Sequence, residues 1–227
     1  MILLDFSQIA YPAIYAFQKE LVDQPQSIVE NILRNTILSS IKYYKSKYST
    51  KYGEIILCTD GRNYWRKKIF PHYKSGRKKA KDKSPLDWDM LMSVVSKLRD
   101  EIRDNFPYKL LHLDHVEADD IIATLSKWSQ ENEHVQDGLF SDKQMVLVVS
   151  SDGDFQQLHI YDNLHQYSPK NKKFINISKQ ESLNYLREHI LRGDVGDGIS
   201  SIYCPPDFFV NKHLYGRAKS ITVSIAN

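Results

Sequence analysis

Cysteine is scarce in this chain of 227 residues. There are two, Cys58 and Cys204, without metal-type spacing, so neither a disulfide scaffold nor a zinc module is expected. Cys58 falls in the apolar run "IILC" and reads as a core thiol. No apolar stretch approaches the roughly 20 residues that span a bilayer. The opening "MILLDF" offers neither a basic start nor a cleavage site, so no leader is expected. A soluble protein of a reducing cytoplasm is the expectation. GxxxxGK[ST], GxGxxG and GxSxG are all missing, which argues against a phosphate loop, a dinucleotide turn and a serine elbow. Histidines such as His72, His112, His115 and His134 are scattered and read as surface or strand-end residues. No internal repeat or low-complexity tract is visible. The length allows one large domain, or one domain with a small appendage.

Charge is present but unevenly spread. The formal net charge is +3, yet Arg62 to Lys83 holds ten Lys/Arg against one Asp, a local +9 that leaves −6 elsewhere. Tyr64, Trp65 and Tyr73 lie within or beside this basic run. A solvated loop often carries lysines; this density with aromatics suggests a phosphate-rich partner whose bases stack on the rings.

Strands alternate with helices along the chain. "MILLDF", "GEIILCTD", "YKLLHLD" and "QMVLVVS" read as strands, and "NLHQYSP" with "KKFINI" as short edge strands around Lys170-Asn171. Ser27 with Glu30 reads as a capping box opening a helix to about Tyr48. Ser84-Pro85 reads as the start of a helix to about Asn105. "VEADDIIATLSKWSQE" is helical with Ile121, Ile122, Leu125 and Trp128 on one side. Ser178 with Glu181 forms a second capping box, for a helix to about Leu191. The basic run reads as a mobile, partly helical excursion. The fold class expected is α/β, a mainly parallel sheet covered on both faces.

In such a sheet the carboxyl ends of the strands share one edge, where ligands bind. Asp5, Asp60, Asp114 and Asp152 stand at those ends, and Glu117, Asp119, Asp120 and Asp154 lie just beyond. Each has a plainer reading, as a helix N-terminal acid or a turn residue before glycine. Asp114 reads as a turn residue only and is left out of the site. The coincidence of so many on one edge points further. Asp152 and Asp154 alone would repel by about 4 kcal/mol at ~4 Å and an effective dielectric near 20. Carboxylates without Arg or Lys to compensate them select hard cations, Mg²⁺ or Mn²⁺. Two such ions about 4 Å apart suit hydrolysis at a phosphate.

"LLDFSQIA", "LCTDGRNYWRKK", "FPHYKSGR", "VEADDIIA", "VVSSDGDFQQLH", "YSPKNKK" and "ILRGDVGD" follow one another in order. Together they resemble the flap endonuclease/5′-nuclease family, and within it the ribonuclease H branch of T-even-type phages. The resemblance runs from Ile2 to about Asp197. It implies a parallel sheet core with a helical arch at about 61–88, all within 1–178, and a helix–three-turn–helix element in 179–227. Asp5, Asp60, Glu117, Asp119 and Asp152 resemble the tighter of two metal sites. Asp120, Asp154, Asp194 and Asp197 resemble the second site and its outer shell. Lys74 and Arg77 resemble the arch cations that face the scissile phosphate, with Asp5, Asp60 and Asp152 at the same catalytic centre. Arg66, Lys67, Tyr73, Lys74, Arg77, Lys78 and Asp194 are the implied nucleic-acid contacts, Tyr73 by stacking or positioning.

The activity so implied is a magnesium-dependent, structure-specific 5′ nuclease with ribonuclease H activity. It would remove RNA primers and adjacent DNA during phage replication, in the cytoplasm of an infected bacterium. DNA and RNA–DNA duplexes with a 5′ flap or end are the implied substrates. A single-stranded-DNA-binding protein and a sliding clamp are implied partners, and a monomer the implied state. A monovalent cation is implied near the Gly193–Gly198 turn. There the sequence departs from the family, with Gly198 in place of Asn, which implies a weaker turn. Family members also continue past "ITVSIAN", implying an incomplete duplex grip or a second polypeptide. Two alternatives stay open, a catalytically impaired DNA-binding fragment and a PIN-type single-strand ribonuclease. The intact acid set opposes the first and the long basic run the second.

Overall fold

The computed structural model describes residues 1–132 and 144–218, apart from the side chains of 78–80. His134 and the "SITVSIAN" end of the chain fall outside the described residues. The first strand, β1 (Ile2–Asp5), is buried at every position. It leads into α1 (Ser7–Ala16), α2 (Gln18–Leu21) and the long α3 (Gln26–Tyr52). Then come β2 (Ile55–Thr59), α4 (Trp65–Ile69), α5 (Gly76–Asp82), α6 (Trp88–Asn105) and β3 (Lys109–His112). After α7 (Ala118–Glu131) and β4 (Val146–Val149) a 3₁₀ segment spans Asp154–Ile160. β5 (Leu164–Ser168), β6 (Lys173–Ile175), α8 (Lys179–Arg192) and α9 (Lys212–Tyr215) complete the described order.

The six strands form one sheet in the order β3-β2-β1-β4-β5-β6. All pairings are parallel except β5 with β6. Side chains alternate between two faces, as strand geometry requires. Ile2, Leu4, Leu147 and Val149 join the core with α1, α3 and α6, and Leu3, Val146 and Val148 join the core with α7. From β1 the chain winds outward through β2 and β3, then restarts on the other side at β4. The switch point therefore lies between β1 and β4, where an open α/β sheet binds its ligand.

The structure corrects several local expectations. The Ser27–Glu30 capping box does not form. Pro25, extended at ψ 142, is the N-cap, so Ser27 already sits inside the helix and Glu30 accepts from Gln26 and Lys97 instead. The helix at Ser84-Pro85 begins later, at Trp88, where the Asp87 carboxylate accepts from the Met90 N–H. Helix α1 was not read from the sequence at all, because Pro12 lies inside it. β5 is no edge strand, since β4 and β6 flank it, and Trp128 lies exposed on α7. The Ser178–Glu181 box does form, in both directions.

Candidate active site

Asp5 ends β1 and Asp60 follows β2. Asp5 pairs in register with Cys58, so the parallel geometry brings both acids to one edge. Asp5 is 3% exposed, with its Oδ1 accepting the Ser7 N–H at 3.0 Å and its Oδ2 the Ser150 hydroxyl at 3.2 Å. The Asp60 Oδ1 accepts the Ala118 N–H at 2.9 Å, at the N-terminus of α7. Beyond β4 the Asp152 N–H donates to Ser150 Oγ at 3.1 Å, and Gln166 Nε2 holds the carbonyls of Ser150 and Asp152. Ser150 thus ties the neighbouring strand ends together. On the other side Gly61 lets the end of β2 approach the segment after β3: a Cβ there would meet the Leu113 carbonyl oxygen at 1.9 Å.

Asp119, in the first turn of α7, faces this group. Burial pushes its carboxyl up to about 8, and the charges of Asp5, Asp152 and Asp60 push the same way, against Lys74. Burial likewise lifts Asp5 to about 6, helped by Asp60 and opposed by hydrogen bonds from Ser7 and Ser150. The sequence-predicted acids Asp5, Asp60, Asp119 and Asp152 therefore converge, and their mutual repulsion is poorly neutralised. A stability consequence follows from linkage. Unfolded aspartates titrate near 3.8, whereas Asp119 and Asp5 keep their protons to about 8 and 6 when folded. Between those values the folded state holds more protons, so these groups lower stability as pH rises from about 4 to 8. The urea midpoint of the metal-free protein is expected to fall between pH 5 and 8, and to fall less in saturating Mg²⁺. A flat or rising midpoint would contradict the burial of these two acids.

Glu117 and Asp120 behave differently. Glu117 caps α7, its side chain accepting from the backbone of Asp120 while Asp120 accepts the Glu117 N–H. Glu117 is 1% exposed and takes three further donors: Lys74 Nζ at 2.6 Å, Tyr73 Oη at 2.8 Å and Arg66 Nη1 at 2.9 Å. Arg66 also grips both Asp120 oxygens, at 2.8 and 2.7 Å, and Trp65 Nε1 donates to Asp120 at 3.1 Å. Burial pushes the Asp120 carboxyl up, but the Arg66 hydrogen bond and the Glu117 N–H outweigh it and hold the group below its ordinary value. The expectation of an acid cluster without compensating cations therefore holds for Asp5, Asp60, Asp119 and Asp152 and fails for Glu117 and Asp120. The reason is that the basic run folds back on α7. Tyr73, 4% exposed, positions Glu117 rather than presenting a stacking face.

Lys74 sits at the junction of three elements. Its φ is +56°, its N–H donates to the Asp197 carbonyl at 2.8 Å, and its Nζ lies 3.7 Å from Asp197 Oδ2. Arg77 Nη2 reaches Asp197 Oδ1 at 2.9 Å. Asp197 in turn lies in a turn closed by an Asp194–Ile199 bridge, with its N–H on Asp194 Oδ1. Gly198, at φ +76°, packs so that a Cβ would stand 3.1 Å from the His72 carbonyl. Glycine suits this left-handed position, and here it also lets the basic run dock on the turn. Lys67 is exposed with its Nζ 5.3 Å from the Tyr64 ring; the Lys78 side chain lies outside the described residues.

Asp154 and Asp194 form a further group with a residue that sequence reasoning missed. His189 Nε2, from the last turn of α8, lies 3.3 Å from Asp154 Oδ1 and 3.4 Å from Asp194 Oδ2. Burial, then Asp152, hold the Asp154 carboxyl above its ordinary value, against His189. The signal was the spacing: His189 lies four residues after Tyr185 and five before Asp194. A cleft of about 520 Å³ is lined by Trp65, Phe70, Asp119, Asp154, His189 and Asp197 among others.

Residues 1–186 match the family model of the 5′-3′ exonuclease, N-terminal resolvase-like domain. The chain is 35% identical over 228 residues to the ribonuclease H of Enterobacteria phage T4, covering 98% of this chain and 70% of that protein. Its fold is similar to that of a T5 protein co-crystallized with metal ions, with TM-score 0.64, 16% identity, and coverage of 94% of this chain and 73% of that one. It is also similar to the flap endonuclease of phage T5 in a pseudo-enzyme-product complex with DNA and metal ions. There the TM-score is 0.64 and the identity 18%, covering 88% of this chain and 69% of that one. With the acid edge, the parallel sheet and the match over most of its length, this chain belongs to the 5′-3′ exonuclease/flap endonuclease family of nucleases.

Proposed function

We propose that the chain is a divalent-metal-dependent 5′ nuclease that hydrolyses phosphodiester bonds near the 5′ end or flap of a duplex. The observation that supports it best is the meeting of Asp5, Asp60, Asp119 and Asp152 at the switch point, where burial and mutual repulsion lift Asp5 and Asp119. An all-oxygen donor set of this kind fits Mg²⁺ or Mn²⁺. On this reading those four acids hold one ion, and Asp154, Asp194 and Asp197 flank a second. Bound there, the ions would supply an activated water and charge neutralisation at the phosphate.

Glu117 and Asp120 would act on the cations rather than as simple ligands, anchoring Lys74 and Arg66. Lys74 and Arg77 would face the phosphate and stabilise charge that develops on its oxygens. Lys67 and Lys78 would hold the backbone without reading sequence. A monovalent cation would bind at the Gly193–Gly198 turn where the duplex backbone passes. RNA primers and adjacent DNA of a replicating phage are the proposed substrates. A single-stranded-DNA-binding protein and a clamp are proposed partners.

The test is hydrolysis of a flap duplex labelled at the 3′ end of the flapped strand, and of an RNA–DNA hybrid labelled at the 3′ end of the strand to be trimmed, by the full chain with Mg²⁺, with Mn²⁺ and with EDTA. Products shortened from the 5′ side in either metal, and none in EDTA, are expected. DNA binding with no hydrolysis in any metal would overturn the reading and favour a silent binding module.

A further inference from the structure

We propose that His189 supplies an imidazole nitrogen to a divalent cation held between Asp154 and Asp194, and that this nitrogen sets which metals the position accepts. The proposal rests on the two-ion reading above and adds a ligand to it. Potential ligand atoms of Asp154, His189 and Asp194 all lie within 4.8 Å of one another, the one such set of three among the described residues. His189 Nε2 stands 3.3 and 3.4 Å from the two carboxylate oxygens. Neighbouring ligands on a first-row divalent ion, at bond lengths of about 2.1 Å, stand roughly 3.0–3.4 Å apart. The imidazole is therefore already at coordination spacing from both acids.

Two features hold the nitrogen there. The Tyr185 ring stacks on His189, with centroids 5.4 Å apart and planes 14° from parallel. The Tyr185 hydroxyl, at the same time, donates to Asp154 Oδ1 at 3.4 Å. No lysine or arginine lies within ion-pair distance of Asp154 or Asp194 among the described residues, whereas Glu117, Asp120 and Asp197 all have one. Basic side chains thus leave these two acids, like Asp5, Asp60, Asp119 and Asp152, to another cation. Oxygen-only sites suit Mg²⁺ and Mn²⁺, and an imidazole ligand shifts preference towards ions such as Zn²⁺.

The experiment loads the 227-residue chain with Mn²⁺ alone and records electron spin-echo modulation, which detects a nitrogen bonded to the ion. Nitrogen modulation is expected in the wild type and lost in His189→Asn. The variant, checked by thermal unfolding, is also expected to shift Zn²⁺-over-Mg²⁺ selectivity on the order of tenfold towards Mg²⁺, the scale of effect for a residue that tunes a metal site. Bound Mn²⁺ without nitrogen modulation in the wild type would overturn the proposal while leaving the two-ion reading standing. So would modulation that persists in His189→Asn, or selectivity that does not move. Failure of Mn²⁺ to bind the wild type at all would overturn both.

Discussion

Asp119→Asn is expected to abolish cleavage, by about 10³-fold or more, and to make the metal-free protein more stable. The two effects have one cause. Asp119 faces Asp5, Asp152 and Asp60, and burial with those charges lifts its carboxyl to about 8. Asparagine removes the charge while keeping the shape, so the repulsion among the remaining acids falls. At about 1.4 kcal/mol per pKa unit, the rise from 3.8 to about 8 corresponds to a gain of several kcal/mol at pH 8, read by urea unfolding in EDTA. The same change takes away an oxygen anion that a cation needs. Removing one electrostatic stabiliser from an active site typically costs on the order of 10²–10³ in rate, and a lost metal ligand removes more. A structural aspartate would give the opposite sign of stability change and leave turnover within a few-fold.

Lys74→Ala is expected to lower kcat by about 10²–10³ with KM changed only a few-fold. A contact aimed at charge appearing in the transition state shows in kcat, whereas ground-state grip shows in KM. Lys74 is well placed for the first role. Its ammonium sits 2.6 Å from Glu117 Oε1 and 3.7 Å from Asp197 Oδ2, bridging the helix α7 acids and the Gly193–Gly198 turn. Glu117 keeps Arg66 and Tyr73 after the change, so a stability loss of about 1–3 kcal/mol is expected, the scale for a buried hydrogen-bonded group that loses one partner. A large rise in KM with kcat intact would place Lys74 among the backbone-binding cations instead.

Much of this architecture was legible because it rests on period and position. The apolar strands, the helix from "VEADD" and the Ser178–Glu181 box are local patterns whose residues do in the fold what their spacing suggests. The convergence of Asp5, Asp60 and Asp152 followed from parallel pairing alone. What stayed hidden depended on contacts distant in sequence. Pro12 masked α1, because an interior proline reads as a break, yet Ile9, Ala13 and Ile14 still bury one face. Ser27 looked like a cap until Pro25 moved the helix start. The pairing of Arg66 with Asp120 joins residues 54 apart, so no local pattern could reveal that the basic run neutralises Glu117 and Asp120. His189 escaped notice for a similar reason, since its partner Asp154 lies on another element.

Calorimetric titration of the metal-free chain with Mn²⁺, repeated on Asp119→Asn, measures whether the converging acids hold cations. Two bound ions per wild-type chain, with one lost or weakened at least tenfold in the variant, is the expected result. A wild-type chain that binds no divalent ion, or a variant that titrates like the wild type, would contradict the assignment of this acid edge as a metal centre.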